Sequence, residues 1–117
     1  MTRFFLVRHG ETVWNRERKY QGQSDIPLTD EGRIQAEKLS ERLKNEEIDI
    51  IYSSNLKRAV ETAEIIAVNH ESEVRPTPLM RELNFGVWEG MTFEQVTQSW
   101  PQEYEEWRCD PHNQKPP

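Results

Sequence analysis

A chain of 117 residues with 34% apolar side chains, 31% charged ones, a net charge of −6 and a pI near 5.1 holds material for one small domain and no more. Its five glycines raise the apolar share only to about 38%, below the roughly 45–50% of an ordinary soluble domain, yet four Trp, three Tyr and four Phe exclude a wholly disordered polyampholyte. The acidic balance without a basic stripe excludes a nucleic-acid surface, the apolar run Phe4 to Val7 is too short for a leader or membrane span, and the single Cys109 excludes an internal disulfide, so a reduced cytoplasm is expected.

Phe4, Phe5, Leu6 and Val7 stop abruptly at Arg8-His9-Gly10, the pattern of a strand buried on both faces. From Glu11 to Leu28 the chain is polar and irregular, with Gly22, Asp25 and Pro27 as turn signals; a loop of that length is usually functional. Thr29 is the expected N-cap of a helix reaching about Lys44, with Asp30 and Glu31 at its positive end and Ala36, Leu39 and Leu43 at helical spacing. Ile48 to Tyr52 reads as a second strand, after which Ser53, Ser54 or Asn55 can cap a helix. That helix buries Leu56, Ala59, Ala63 and Ile66 and runs out near Asn69. Val74 to Pro78 carries two prolines and suits an edge strand or an extended connection. Thr92 with Gln95 resembles a capping box, opening a short helix with Phe93, Val96 and Trp100 on one face that Pro101 ends; the tail from Cys109 to Pro117 has little to hold it down.

Strand, helix, strand, helix, strand describes two right-handed crossover units. The expected fold class is therefore α/β, a partial parallel sheet flanked by helices, with residues 1–117 as a single domain. Ligand chemistry in such sheets belongs at the carboxyl ends of the strands. His9 and Ser53-Ser54 fall there, and Arg81 and Glu82 lie just past the third extended piece. Arg8 and His9 put a guanidinium beside an imidazole, and Gly10 lets backbone approach a ligand; Arg58 sits in the first turn of the helix after the second strand. Two guanidinium forks with a helix N-terminus match phosphate oxygens two at a time. The acidic global charge does not decide the local field, which at these arginines favours an anion.

Leu6-Val7-Arg8-His9-Gly10-Glu11-Thr12 with Asn15, then Ser53-Ser54 leading to Arg58 and Thr62, then Arg81-Glu82 before Gly86-Val87-Trp88-Glu89-Gly90, together resemble the histidine phosphatase superfamily, the phosphoglycerate mutase-like group. Three blocks in register through nearly the whole chain are far more specific than Arg-His-Gly alone, since an isolated histidine at a strand end is ordinarily a hydrogen-bonded core residue. The resemblance implies a phosphoglycerate mutase-like fold and a phosphohistidine mechanism. His9 would accept the phosphoryl group, Arg8, Asn15 and Arg58 would hold phosphate oxygens, Glu82 would be the proton donor, and Gln21 and Gly22 would belong to a loop over the substrate. Glu89 and Glu11 remain alternatives to Glu82. The chemistry of the residues agrees: imidazole is nucleophilic only when neutral, and neighbouring arginine charge disfavours imidazolium. No metal and no cofactor is expected, arginines taking the place of a cation. Glu11, Asp25 and His9 lack tight ligand spacing. Trp88 and Trp100 read as packing residues and Cys109 as inert.

The implied substrate and partner is a small phosphomonoester, with no nucleic acid and no membrane, and with self-association left open. The segment Arg81 to Gly90 looks more like the small phosphatases of the group, α-ribazole phosphatase and broad-specificity relatives, than the glycolytic mutases. Mutase-type transfer and an inactive phosphate-binding module stay as alternatives. Family members continue well past this length and end a later strand in a second histidine, which neither His70 nor His112 matches. The chain is thus expected to be shortened at its C-terminus, marginally folded and weakly active alone.

Overall fold

Local signals set most of the helices, and a computed structural model describes residues 1–117. Thr12 caps a short helix α1 (Val13–Arg16) through a capping box closed by Asn15, inside what the sequence reads as irregular loop. Helix α2 (Asp30–Leu43) starts at the expected cap, the Thr29 hydroxyl accepting from Gly32 N–H at 3.0 Å. It buries Gly32, Ala36 and Ser40, while Leu39 and Leu43 are half-buried. Strand β1 (Ile50–Ser54) begins two residues later than expected and takes in both serines. Helix α3 (Lys57–Ala67) follows Leu56, which offers no side-chain cap; Ser54 Oγ accepts from Leu56 N–H at 3.3 Å and the distant Asp25 carboxylate accepts from Lys57 N–H at 2.7 Å.

Strand β2 (Glu73–Thr77) pairs parallel to β1, Ile50 facing Glu73 and Ser54 facing Thr77. Its Pro76 is tolerated because β2 pairs on one side only. Two 3-10 turns follow, Pro78–Met80 and Gly86–Trp88. Helix α4 (Phe93–Ser99) has the expected Thr92–Gln95 capping box, and Val96 is its one buried residue. Pro101 ends α4 but also opens a further helix α5 (Pro101–Cys109), an element the sequence reading omitted. Proline is pre-organised for exactly this kind of first-turn position. The tail is held more than expected: the Pro117 carbonyl accepts from Val87 N–H at 3.3 Å.

The largest departure is the first strand. Phe4 to Val7 makes no ladder, and Phe4 and Leu6 are 82% and 97% exposed. Arg3 pairs with Glu46 before β1, and Gly10 N–H donates to Thr62 Oγ1 in α3, so the segment is tied at its two ends. A strand buried on both faces needs hydrogen-bonded neighbours as well as apolar side chains, and the sheet consists of β1 and β2 alone. The three-strand expectation is thereby corrected to two.

Helix α3 packs on both strands and α2 on α3, while Trp88, fully buried, gathers Tyr20, Tyr104 and Trp107 into a separate aromatic cluster against α5. Only 17 of the 117 residues are buried, and the radius of gyration is 16.3 Å. A compact chain of this length would measure about 13 Å. No helix is long and apolar enough to cross a membrane.

Candidate active site

His9 leaves the end of the N-terminal extended segment and turns back on its own chain. Its Nδ1 lies 2.7 Å from the Gly10 carbonyl oxygen. A carbonyl only accepts, so in the neutral ring Nδ1 carries the proton and Nε2 keeps its lone pair. Burial pushes the imidazole below its ordinary 6.5, and the Arg58 and Arg8 charges add to that against the opposing pull of the Gly10 carbonyl and of Glu82. The arginine effect expected from the sequence is present; burial is the larger cause. Gly10 itself crosses Gly32 of α2 so closely that a Cβ on Gly10 would sit 2.9 Å from the Gly32 carbonyl carbon.

Arg58, in the first turn of α3, is 3% exposed. Its Nη2 donates to the Gly22 carbonyl at 2.6 Å and its Nη1 to the Ser24 carbonyl at 2.7 Å. Those acceptors fix the plane of the fork and leave its other N–H donors for an anion. Burial lowers the Arg58 pKa, while Glu82, Asp25 and Glu89 raise it. Arg8 is exposed, and its charge acts on His9.

Asn15 and Gln21 meet on one hydroxyl. Asn15 Oδ1 accepts from Thr12 N–H at 3.0 Å, and Gln21 Oε1 lies 2.5 Å from Thr12 Oγ1. Thr12 is 0% exposed and Gln21 8%. With both amide oxygens turned to Thr12, both NH2 groups face elsewhere and can donate. Gly22 takes φ +53, a left-handed conformation suited to glycine.

The three carboxylates considered from sequence separate in space. Glu11 is engaged by Arg16 and by the Thr29 hydroxyl, which hold it below the usual carboxylate range. Glu89 accepts from Gln23 and Phe85 N–H and from the Ser24 hydroxyl. Glu82 is exposed, accepts at Oε1 only from the adjacent Leu83 N–H at 2.9 Å, and its charge acts on both His9 and Arg58. His70 follows the carboxyl end of α3, at the opposite edge of the sheet from Ser53-Ser54. Glu11, Asp25 and His9 form no metal-binding group.

Sequence reasoning missed Thr12, Ser24 and Asp25. Thr12 was findable, since Thr-x-x-Asn can close a capping box. Nothing local marks Ser24, and Asp25 reads only as a turn signal or weak metal candidate, yet they act on α3 across 34 and 32 positions.

A neutral imidazole with a free nitrogen, a buried guanidinium locked in plane and a nearby carboxylate suit phosphoryl transfer. The family model described as histidine phosphatase superfamily (branch 1) matches residues 4–117. The chain belongs to the histidine phosphatase superfamily. Over 112 residues it is 39% identical to phosphoserine phosphatase 1 of Hydrogenobacter thermophilus, covering 96% of this chain and 53% of that protein. Phosphoglycerate mutase-like protein 4 of Arabidopsis thaliana is 46% identical over 101 residues, which is 85% of this chain and 44% of that one. The solved α-ribazole phosphatase of Shigella flexneri superposes with a TM-score of 0.83 at 32% identity, over 94% of this chain and 55% of that one. The structural neighbours have the phosphoglycerate mutase-like fold expected from the sequence, and this chain spans about half the length of the relatives it matches.

Proposed function

We propose that this site takes the phosphoryl group of a small phosphomonoester onto His9 and passes it to water. The observation that carries the reading is the Nδ1 contact with the Gly10 carbonyl, which leaves Nε2 as the free nucleophile beside a guanidinium already oriented. In the first half-reaction, Nε2 attacks phosphorus in line and the bond to the ester oxygen breaks. Arg8 and Arg58, with the Asn15 and Gln21 amides, hold the equatorial oxygens, and Glu82 protonates the departing alkoxide. In the second, Glu82 takes a proton from water, whose oxygen attacks the phosphohistidine and returns the imidazole and inorganic phosphate. The transition state is loose, so the protein's contribution is mostly position and charge.

Phosphatase names among the relatives support hydrolysis over transfer to a second hydroxyl. The test is reaction with a labelled phosphomonoester. An acid-labile, base-stable adduct is expected on the wild-type chain and none on His9→Ala. Product analysis with a phosphoglycerate separates hydrolysis from mutase transfer. A chain that phosphate stabilises against melting but that forms no adduct would be a binding module, and the catalytic reading would fall.

A further inference from the structure

Glu89 does none of the phosphoryl chemistry proposed above, yet its carboxylate accepts hydrogen bonds from three different residues. Oε1 accepts from Gln23 N–H at 2.9 Å and from Phe85 N–H at 3.3 Å, and Oε2 accepts from the Ser24 hydroxyl. Gly22 lies against it, a Cβ there falling 2.9 Å from Glu89 Cδ. Flanking backbone pins the same junction, with Tyr20 N–H on the Met91 carbonyl at 2.9 Å and Gly90 N–H on the Tyr20 carbonyl at 2.8 Å.

The Gly22–Gln23 peptide is the connecting part. A trans peptide is a rigid plate whose N–H and C=O point in opposite directions. Here the N–H of Gln23 points at Glu89 and the C=O of the same plate, from Gly22, points at Arg58 Nη2 at 2.6 Å. The Ser24 residue repeats the arrangement with its hydroxyl on Glu89 and its carbonyl on Arg58 Nη1. We propose that Glu89 is a positioning residue: it holds the 22–24 loop so that two carbonyls fix the Arg58 fork in the plane that receives the oxyanion. The proposal rests on the phosphatase reading for its purpose, while its geometry stands on the loop alone. It also gives a reason for the carboxylate at 89 that excludes the proton-donor role. Both of its oxygens already accept hydrogen bonds, from residues 23, 24 and 85.

The experiment is a double-mutant cycle on the full 117-residue chain, reading inorganic phosphate affinity by calorimetry at a temperature where every variant is folded by circular dichroism. Glu89→Ala should weaken phosphate binding by about tenfold to a hundredfold, the scale of losing a hydrogen bond to a charged group. In an Arg58→Ala background the same change should have almost no further effect, because the orientation it sets has no fork left to orient. Glu89→Gln keeps an oxygen for the two backbone N–H groups and should restore affinity to within a few-fold of wild type. An equal loss from Glu89→Ala with and without Arg58 would overturn the proposal, since a merely structural role acts on both backgrounds alike. So would Glu89→Gln that binds phosphate normally yet cannot release the alcohol from a labelled ester, which would make 89 the proton donor. Adduct formation on the wild type, absent in His9→Ala, is read in parallel. Its failure would remove the phosphohistidine mechanism and leave the phosphate cycle to decide Glu89 independently.

Discussion

Replacing Gly32 by alanine sets two principles against each other. Gly32 is the third residue of α2, in its first turn, where a glycine costs at most the helix-interior value of about 0.8–1 kcal/mol relative to alanine, so propensity alone makes Gly32→Ala stabilising. The structure reverses the sign. A Cβ on Gly32 would overlap the Glu11 carbonyl oxygen and lie 2.8 Å from Glu11 N and 3.0 Å from its carbonyl carbon. Those atoms are backbone on both sides of the contact, and Glu11 is further tied by its N–H to Gln35 Oε1 at 2.9 Å and by its carbonyl to Thr29 N–H at 2.9 Å. Overpacking costs about 1–3 kcal/mol, and an unyielding neighbour puts this case in the upper part of that range. Subtracting the propensity gain leaves a net loss of about 1–2 kcal/mol, or a Tm lower by about 5–10 °C for a chain of this size. Because Glu11 follows Gly10, whose carbonyl orients His9, a displacement of even 1 Å should also slow adduct formation by about a hundredfold. Thermal melts and single-turnover labelling check both numbers. A Gly32→Ala chain that melts at or above the wild-type Tm and labels at the wild-type rate would refute the reasoning.

The pH dependence follows from His9. Unfolded, its imidazole takes up a proton near 6.5, and folded it does so at lower pH, so between those values the unfolded chain binds the extra proton and stability falls as pH falls. For the same reason the acid limb of kcat/KM should have its midpoint below 6.5; a midpoint at or above that value in the pH profile contradicts the burial argument. Thr12→Val keeps the shape of a 0% exposed side chain but leaves Gln21 Oε1 without its donor, and should cost about 1–3 kcal/mol in urea melts. Phe4→Ser with Leu6→Ser should change stability by no more than about 0.5 kcal/mol, because both side chains are in water, whereas truncating a buried Phe costs about 3–5 kcal/mol. The same double variant should aggregate less in light scattering, the lost patch being apolar.

The helices were legible where their signals are local. Thr29 before Asp30-Glu31 and Thr92 before Gln95 are capping chemistry complete within four residues, and both helices start where those signals put them. The first strand was not, because its apolar run reports only how hydrophobic the segment is, and a ladder depends on a partner elsewhere in the chain. The start of α3 was half-legible: the serines do contribute, through Ser54 Oγ, but the N–H of Lys57 is satisfied by Asp25 from a loop that no local pattern joins to it. Arg58 as an anion clamp came from its place in the first turn of a helix after a strand. Its anchoring carbonyls, Gly22 and Ser24, belong to the loop that sequence marked only as long. The carboxylates were least legible of all, since Glu11, Glu82 and Glu89 differ in what they contact, and no local pattern shows that Glu89 accepts from Gln23, Ser24 and Phe85.

His9, Arg58, Asn15 and Gln21 have in common that one side of each polar group is already satisfied within the chain. Nδ1 of His9 is held by the Gly10 carbonyl, Arg58 by two loop carbonyls, and the Asn15 and Gln21 amide oxygens by Thr12. An oxyanion therefore meets donors that need no reorganisation, which is how fixed dipoles stabilise charge at low cost. Asp25, Glu82 and Glu89 stand around Arg58 and favour its charged form where burial disfavours it, and Arg8 is exposed to draw an anion from solution. The corner they form lies at the carboxyl end of β1, on the side where that strand has no ladder partner and where Leu6 is 97% exposed. Arg8, exposed there, acts through water and so more weakly than the buried Arg58 does. The orientation of the donors is thus set by backbone carbonyls and by Thr12, and burial sets how strongly each charge is felt.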